Sequence, residues 1–503
     1  MAKPSILSRA LSAIGVTSAV SNIKARYDAA GTGRRMRGWN APSSGPNTAT
    51  AGLQNIRNRA RDSSRNDWPT SAASQRWVTN LVGTGIVPRL AKTVSKTRKA
   101  KIQALWDEWC ANADADGVMG FYGLQTLATR AWLESGEVFV RIRYRDDSYG
   151  LRVPVQLQVI EAEFVPTFDA DSWPDLPETH TIRQGIERDR RGKRIAYWCY
   201  REHPGEFHTA INSEANLLRI PADEMLHIYE PKRPGQLRGV PEFAPILARI
   251  RNIQNYDDAV QERMTLSNMY VGFITKPSPS GYTDDIDPLT GEPIESDANG
   301  EPMIGLQPGT MQQLLPGENI QWSNPPEAGT TYSDFMRTQH VGTAAGSGVP
   351  YELMSGDIIN ISDRTLRIVI QEFRRHVEQR QWTVVIPMLC QKVRDVWASE
   401  AALSGELSVR EAEDAKRVTW TPQGWAYIHP TQDAQAEQML IEAGLSSRTA
   451  AISKRGDDPE IIDEERAEDA KREAELGLPA TNQPKTAAGV APTNDQQPTE
   501  GEA

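Results

Sequence analysis

The chain has 503 residues, of which 39% are hydrophobic and 24% are charged, and its formal net charge is −10. This length and apolar content allow a sizeable core and roughly two to four domains. No stretch approaches the roughly 20 apolar residues needed to cross a bilayer, and the first residues lack a clear signal-peptide pattern. We therefore expect a globular protein that is made in the cytosol.

The charge is distributed unevenly along the chain. The first 103 residues contain 18 Lys and Arg against 3 Asp and Glu, which leaves a charge of −25 on the other 400 residues. The basic excess is concentrated at Arg34, Arg35 and Arg37, at Arg57, Arg59, Arg61 and Arg65, and from Lys92 to Lys101. Such clusters can contact nucleic acid or an acidic partner surface. Solvated amphipathic helices explain each cluster about as well.

The first half of the chain predicts an α+β body. Residues 1–50 are rich in small and polar residues and predict a mobile basic arm. Helical periodicity follows from Leu53 to about Val82, where Gly83 and Gly85 end it. Further helices are predicted over about 98–109 and 123–134, and strands over 137–143, 155–160, 195–200 and 225–229.

The second half predicts two helices on either side of a segment rich in proline and glycine. The helices cover about 246–268 and 331–345, and the nine prolines between Lys276 and Pro326 exclude long helices there. Turn-like units at 287–293 and 297–302 indicate hairpins. We interpret this segment as a small β-rich insert.

Beyond the second helix, the periodicity breaks at 355–362. Apolar residues then mark one face of a helix, which Ser362 or Asp363 would cap and Pro387 would kink or end: Leu366, Val369, Ile370, Phe373 and Val377. Short charged helices are predicted over 432–444 and 457–476. The residues from Pro479 onward predict a disordered tail.

Motifs of catalysis and metal binding are weak in this sequence. Cys110, Cys199 and Cys390 are far apart and predict reduced, buried thiols rather than a disulfide framework or a zinc site. A phosphate-binding loop is absent, and Pro88 occupies the position of the third glycine of a dinucleotide loop. We therefore expect no enzymatic activity, no cofactor and no metal.

Three acidic clusters have alternative interpretations. Residues 112–117 resemble the opening of a calcium loop, but Gly123 stands where a bidentate carboxylate is required, so a turn with capping aspartates is favoured. Asp284, Asp285 and Asp287 could hold a nuclease metal, although a solvated loop is favoured. Glu161 and Glu163 could act as a carboxylate pair, but we favour pairing with nearby arginines or with backbone groups.

Several short passages together resemble the lambda-type family of phage portal proteins. Each is weak alone, but they occur in order and the resemblance extends from about residue 30 to 475. The passages are Trp39-Asn40-Ala41-Pro42, Arg57 with Arg59-Ala60-Arg61 and Arg65-Asn66, Val82-Gly83-Thr84-Gly85-Ile86, Glu161-Ala162-Glu163-Phe164, Gly185-Ile186-Glu187, His203-Pro204-Gly205-Glu206, Ile220-Pro221-Ala222, His227-Ile228-Tyr229, and Arg233-Pro234-Gly235-Gln236-Leu237-Arg238-Gly239-Val240-Pro241.

The resemblance implies an α+β portal fold with a wing, a two-helix stem, a β-rich clip insert and a helical crown. With the arm at 1–50, the implied domains are a wing at 51–240, a stem helix at 241–269, the clip at 270–326, a second stem helix at 327–350, a tunnel loop at 351–363, a wing helix and strand at 364–425, a crown at 426–478 and a disordered tail at 479–503.

The implied function is that of a ring of about twelve copies at one capsid vertex, through which double-stranded DNA is packaged and later ejected. The ring would also connect head to tail and nucleate procapsid assembly. Its implied partners are the large terminase at the clip, scaffold and major capsid protein at the wing, and head–tail adaptor proteins. It would reside in the virion, and in the host cytoplasm during assembly, without contacting a membrane.

The residues expected to line the DNA channel lie in the tunnel loop. They are Ser355, Gly356, Asp357, Ile358, Ile359, Asn360, Ile361, Ser362 and Asp363. The seven arginines Arg34, Arg35, Arg37, Arg57, Arg59, Arg61 and Arg65 are the candidates for capsid or DNA contact. Two other hypotheses remain at this point, a DNA-processing nuclease of the packaging machinery and a scaffold or adaptor without a channel.

Overall fold

The structure is a computed structural model that describes residues 44–47, 52–174, 176–206, 217–269, 273–275, 319–321, 331–359, 361–425 and 429–478. The chain divides into two units, residues 1–49 and 50–503, and the fold below is that of the second. The helices are α1 (Leu53–Asn66), α2 (Trp68–Leu81), α3 (Lys96–Ala111), α4 (Phe121–Ser135), α5 (Leu247–Met269), α6 (Thr331–Ser347), α7 (Tyr351–Ser355), α8 (Asp363–Arg380), α9 (Gln391–Leu403), α10 (Val409–Lys416), α11 (Pro430–Glu442), α12 (Arg448–Lys454) and α13 (Pro459–Leu476).

The strands form small antiparallel sheets. They are β1 (Val87–Leu90), β2 (Glu137–Tyr144), β3 (Val155–Glu161), β4 (His180–Arg183), β5 (Ile186–Asp189), β6 (Arg194–Tyr200), β7 (Leu217–Pro221), β8 (Met225–Tyr229), β9 (Phe273–Thr275), β10 (Asn319–Gln321) and β11 (Val418–Thr421). Their order is β3-β2-β8 in one sheet and β4-β5-β6-β7 in another, with β1 paired to β11 and β9 to β10. The predicted α+β class is confirmed.

Strand β2 separates two hydrophobic cores. Because side chains alternate along a strand, Val138, Val140 and Ile142 face the larger core, which also contains residues of the helices. Phe139 faces the smaller core, together with residues of the four-stranded sheet. Glu137 precedes Phe139 by two positions and therefore lies on the side of the smaller core, where its carboxylate is fully buried.

The helix predicted from Leu53 to Val82 is two helices, and this prediction is wrong in that respect. Asp67 adopts an extended conformation with φ −110° and ψ 116°, and α2 begins at the next residue with Pro69 in its first turn. Proline has no backbone N–H to donate and is tolerated there, whereas in the middle of a helix it removes a hydrogen bond. The proline therefore starts a second helix.

The four-stranded sheet was predicted only in part, because its strands are short. A two-residue turn joins β4 to β5, and both of its residues have positive φ, 52° at Gln184 and 78° at Gly185. This is the requirement of a tight type I′ hairpin. A Cβ at Gly185 would lie 2.2 Å from the carbonyl oxygen of Pro166, so only glycine fits.

Pro387 does not end the helix that contains it, contrary to one of the two predicted outcomes. The chain passes from α8 through a π-helical segment, Gln381–Cys390, directly into α9. The wider π geometry accommodates a residue without an N–H donor. Within this segment Gln381 is buried and its side-chain amide donates to the carbonyl oxygen of Leu81 at 2.9 Å, which links the segment to the end of α2.

An aromatic cluster fills the larger core. Trp106 lies 5.0 Å from Trp109 and from Trp397 and 5.4 Å from Phe121, measured between ring centroids. The three cysteines are buried free thiols, as predicted. Within the described ranges, no helix is long and apolar enough to span a membrane.

Candidate functional site

The two long helices on either side of the proline-rich segment pack antiparallel along each other. Arg249 on α5 donates to the side chain of Gln339 on α6 at 2.9 Å, and Asp257 accepts a hydrogen bond from the hydroxyl of Tyr332. Close approach is possible because Gly346 of α6 has no side chain. A Cβ there would lie 2.4 Å from a methyl carbon of Ile246.

The predicted tunnel loop covered 351–363. In the structure, α7 occupies its first five residues and α8 begins at its last, so that the segment 356–362 lies between the two helices. It begins at Gly356, whose φ of 73° favours glycine and whose N–H donates to the carbonyl oxygen of Glu352 at 3.0 Å. It ends at Ser362, whose hydroxyl accepts from the N–H of Thr365 at 3.2 Å and caps α8, as predicted. Both ends of the loop are therefore fixed by helix termini.

Asp357 ties this loop to the preceding helices. Its carboxylate accepts from the hydroxyl of Tyr351 at 3.1 Å and from Nε of Arg337 on α6 at 3.3 Å. It also accepts from the N–H of Ile359 at 3.1 Å. The Ile359 N–H, followed by Tyr351 and Arg337, holds the pKa of Asp357 below its usual value. The charge expected to face DNA is thus already paired with a cation of α6.

Beyond Asp357 the loop exposes apolar side chains. Ile358 and Ile359 are 64% and 72% exposed, and Asn360 lies outside the described residues. At the far end, the carboxylate of Asp363 lies 2.8 Å from Nε2 of His429, just before α11. Of the predicted channel residues, Ser355 and Asp357 make local hydrogen bonds, whereas the two isoleucines are free to contact another molecule.

A buried network of charges organises the centre of the α+β body. Nε of Arg238 lies 2.6 Å from one oxygen of Glu137, and Arg57 of α1 pairs with the same carboxylate. The second oxygen accepts from the N–H of Gly239 at 2.7 Å and lies 2.8 Å from Nε2 of His227. We call Arg57, Glu137, His227 and Arg238 the wing network.

Arg238 extends the wing network to neighbouring segments. Its guanidinium donates to the carbonyl oxygens of Gln184 at 2.8 Å, Val165 at 2.9 Å and Ala162 at 3.1 Å. The arginine therefore fixes the β4–β5 turn and the end of β3 against the start of β2. Because all its donors are directed at fixed acceptors in a buried position, a lysine could not replace it.

The charges of the wing network shift the pKa values of its own members. Burial alone would raise the pKa of Glu137, but Arg238 and Arg57 hold it well below its usual value. Burial lowers the pKa of His227 to about 4, although Glu137 acts in the opposite direction. His227 is therefore neutral near pH 7, with Nε2–H donating to Glu137 and Nδ1 accepting from Arg194 at 2.8 Å.

Arg57 is not available for contact with capsid or DNA, which corrects that prediction. Its side chain is 1% exposed and also donates to the carbonyl oxygen of Ser135 at 3.1 Å. Arg61, one turn further along α1, pairs with Glu163 at 2.7 Å. Arg59 and Arg65 are exposed, and Arg34, Arg35 and Arg37 lie outside the described residues.

Glu161, Glu163 and His203 bring three ligand-type atoms within 4.8 Å of one another. Their arrangement does not suit a metal ion. The guanidinium of Arg61 occupies the cluster, 2.7 Å from Glu163 and 3.3 Å from Glu161. Nδ1 of His203 accepts from the N–H of Gly205 at 3.0 Å, so in the neutral ring Nε2 carries the proton and has no lone pair for a metal. The expected pairing of the glutamates with arginine is confirmed.

The basic segment 92–101 faces acidic residues of its own chain. Lys99 and Lys96 pair with Glu460 at 2.8 Å and Glu464 at 2.5 Å, both on α13. Just upstream, Arg89 donates to the carbonyl oxygen of Gly456 at 2.7 Å. We call the contacts of Arg89, Lys96 and Lys99 with residues 456–464 the crown clasp. An acidic surface was one of the two predicted partners of this segment. For Lys96 and Lys99, that acidic surface is α13 of the same chain.

Glu137, His227, Arg238 and Arg89 had no predicted role in these contacts. Arg57 had been expected to contact capsid or DNA, and Lys96 and Lys99 belong to the basic cluster expected to contact nucleic acid or an acidic surface. His227 and Arg238 were part of the quoted family passages, but nothing in a single sequence shows that they meet the same carboxylate. Asp114 was interpreted correctly: its side chain accepts from the N–H groups of Asp116 at 3.1 Å and Val118 at 2.9 Å, which makes residues 112–117 a turn rather than an ion site. Asp284, Asp285 and Asp287 lie outside the described residues.

The chain belongs to the lambda family of phage portal proteins. The model of that family matches residues 32–381, which include the stem-like helix pair, the loop and the wing network. The fold is therefore the portal fold that the resemblance predicted.

Two portal proteins and one solved structure illustrate the similarity. The chain is 25% identical to a probable portal protein of Halomonas phage phiHAP-1 over 85% of this chain and 82% of the relative. It is 23% identical to portal protein B of Escherichia phage lambda over 94% and 93%. A chain from the neck of a native gene transfer agent particle shares 13% identity and a TM-score of 0.44 over 84% of this chain and 94% of that one.

Proposed function

We propose that this chain is the portal subunit of a tailed phage or related particle. About twelve copies form a ring at one capsid vertex, and double-stranded DNA enters and leaves through the ring. The family match over residues 32–381 supports this proposal most directly. The antiparallel pair of α5 and α6 supplies rods that can stand side by side around an axis, with the proline-rich insert at one end and the loop 356–362 at the other.

The function is physical rather than catalytic. DNA must slide, so the wall of the conduit needs few of the cationic contacts that release counterions and bind phosphate tightly. The loop 356–362 has this character because Asp357 is paired with Arg337 and the exposed side chains described there, those of Ile358, Ile359 and Ser362, carry no charge. We propose that this loop lies nearest the DNA. Deleting residues 356–361 should impair packaging or DNA retention while rings still form, and normal packaging by that variant would contradict the assignment.

The other partners follow from the domains implied by the family. The large terminase docks on the clip, roughly residues 270–325, and head–tail adaptor proteins replace it later. Scaffold and major capsid protein contact the wing, where the exposed Arg59 and Arg65 and the more N-terminal Arg34, Arg35 and Arg37 are candidates. The protein thus resides at the portal vertex of the virion, and in the host cytoplasm during assembly.

A nuclease or a scaffold without a channel is the competing proposal. The one cluster of ligand-type residues in the described part of the chain contains an arginine where a metal would sit, so the geometry does not favour a metal-dependent nuclease. Negative-stain images of the purified full chain test the proposal. We expect annular particles with a central hole. A chain that stays monomeric in every condition, or that cleaves DNA with a divalent metal, would overturn it.

A further inference from the structure

The last three helices of the described chain bury none of their side chains. Helices α11, α12 and α13 contain 13, 7 and 18 residues, and each lacks a buried residue. Isolated helices of this length are marginal in water and normally depend on packing of an apolar face. These helices nevertheless carry aliphatic residues, which the described part of the chain leaves without a covering surface.

Helix α11 has two apolar faces on opposite sides. Ala434 and Ile441 are seven residues apart and lie on the face toward α12, where they line a groove. Met439 and Leu440 project from the opposite face, which also carries Ala436 and Ala443. Their side chains are 65% and 44% exposed. A helix with apolar residues on both sides is suited to burial between two other elements.

The groove on the first face has a volume of about 390 Å³. Its walls combine Ala434 and Ile441 of α11 with Ala451 and Ile452 of α12. Two acidic and two basic side chains also line it, namely Glu437, Glu442, Arg448 and Arg455. The lining therefore has no excess charge that would select nucleic acid, whereas the small alanines leave room for a flexible aliphatic side chain.

The crown clasp fixes the position of these helices on the body. Arg89 reaches the carbonyl oxygen of Gly456 at 2.7 Å, and Gly424 approaches the backbone of Arg455 so closely that a Cβ would lie 2.0 Å from its carbonyl oxygen. Both the groove and the exposed face of α11 are thus held in a fixed orientation. In a ring, every subunit presents the same two surfaces to its two neighbours.

We propose that the exposed face of α11, carrying Met439 and Leu440, packs into the α11–α12 groove of the adjacent copy of this chain. The inference rests on the proposed ring and names the surfaces that join its copies at the crown. The contact is heterologous, because one patch meets a different patch on the next copy. Such contacts close into rings when the rotation between copies is suitable.

Paired cysteines test this contact in the full chain. The three natural cysteines are buried, so oxidation reports on introduced thiols. We expect the variant with both Leu440→Cys and Ala451→Cys to give, on mild oxidation of assembled rings, a ladder of covalent oligomers that reaches the size of the ring. Each single variant should give no ladder. The matched control replaces Leu440→Cys by Leu403→Cys, a leucine at the end of α9 that is 79% exposed, and should also give no ladder.

The outcomes separate this inference from the proposed function. Rings of the paired variant that stay monomeric on the oxidised gel would overturn the crown contact and leave the portal function intact. A wild-type chain that forms no rings would overturn the portal function, and the contact with it. A second variant tests the contact without relying on thiol reactivity. Leu440→Lys should raise the protein concentration needed for ring formation at least ten-fold, whereas the control Leu403→Lys should not change that concentration.

Discussion

The wing network and the crown clasp join distant parts of the same chain through charges, but in opposite environments. Glu137 and Arg238 are completely buried and pair with each other. The Glu137 carboxylate also accepts a hydrogen bond from the N–H of Gly239. Lys96 and Glu464 are 84% and 57% exposed and meet in solvent. Removing one partner of a buried ion pair destabilises the folded protein strongly, because it leaves the other charge unpaired. Exposed pairs contribute about 0–1 kcal/mol to stability and weaken in salt.

This difference indicates different tasks. The wing network holds α1, β2, β8 and the β4–β5 turn in one arrangement, as a rigid wall of a ring would require. The crown clasp positions helices that bury none of their own side chains, through contacts that are individually weak because they are exposed to solvent. Four predictions test this contrast, from the largest expected effect to the smallest.

Glu137→Gln should have the largest effect. It removes the carboxylate that compensates Arg57 and Arg238, and an uncompensated buried charge costs about 3–5 kcal/mol. We expect the free energy of unfolding to fall by about that amount, measured by urea denaturation of the unassembled chain. The control Glu460→Gln, in the crown clasp, should cost less than about 1 kcal/mol. Equal losses in both variants would remove the distinction between the two regions.

Acid should weaken the wing network through His227. Its pKa falls from an ordinary 6.5 to about 4 on folding, so the unfolded chain binds the proton more readily. The corresponding stability is fully present above pH 6.5, declines as the pH falls toward 4, and amounts to about 3 kcal/mol over that window. The measurement is the unfolding free energy of the wild type and of His227→Gln across this range.

The control is His376→Gln, which removes a 60% exposed histidine outside the wing network. The difference in stability between wild type and His227→Gln should change with pH by more than the difference between wild type and His376→Gln. Parallel pH profiles for the wild type and His227→Gln would show that folding does not lower the pKa of His227.

Arg394 offers a buried charge without an acidic partner. Its guanidinium lies 4.3 Å from the ring centres of Trp106 and Trp397, its Nε donates to the carbonyl oxygen of Ala415 at 2.9 Å, and its two terminal nitrogens make no hydrogen bond. Burial lowers its pKa to about 9. The aromatic contacts contribute about 2 kcal/mol, which offsets part of the cost of leaving both terminal nitrogens without hydrogen bonds.

We therefore expect Arg394→Met to lower the unfolding free energy by no more than about 2 kcal/mol, because the apolar chain replaces the charge and leaves only the carbonyl oxygen of Ala415 without its donor. Arg57→Met is the matched comparison and should cost several kcal/mol, since Glu137 loses a cation. Urea denaturation checks both. A loss of about 3 kcal/mol or more in Arg394→Met, the size expected for a broken buried ion pair, would mean that the guanidinium has an acidic partner.

Salt should affect the crown clasp only slightly, but selectively. At about 1 M salt the screening length shrinks to about 3 Å, so the exposed pairs of Lys96 and Lys99 lose most of their attraction. We expect hydrogen exchange in α13 of the unassembled chain to speed up by about two- to five-fold, in keeping with a loss of up to about 1 kcal/mol. Exchange in β2 should not change. Equal acceleration in both elements would indicate global loosening instead.

The sequence predicted elements where periodicity is long and unbroken. Helix α5 was expected over about 246–268 and covers Leu247–Met269, and strand β8 was expected and found at 225–229. Prediction failed where the deciding interaction is local and subtle. The break at Asp67 and the short strands β4, β5 and β7 depend on a proline in a first turn and on a two-residue hairpin, which periodicity alone does not reveal.

The candidate site was predictable only in outline. The loop around Gly356 and its cap at Ser362 follow from local sequence, but the pairing of Asp357 with Arg337 joins residues 20 positions apart across two helices. Arg57 was expected at the surface because arginines usually are. Its carboxylate partner is 80 residues away, and a single sequence contains no signal for such a contact.

A three-dimensional reconstruction of the assembled full chain by electron cryomicroscopy tests the central claim most directly. The account predicts a closed ring in which the α5–α6 pairs surround an axial channel that is narrowest at the loop 356–362, with α11 of each copy against the crown of the next. Particles without an axial opening, or rings with Ile358 and Ile359 on the outer rim, would contradict it.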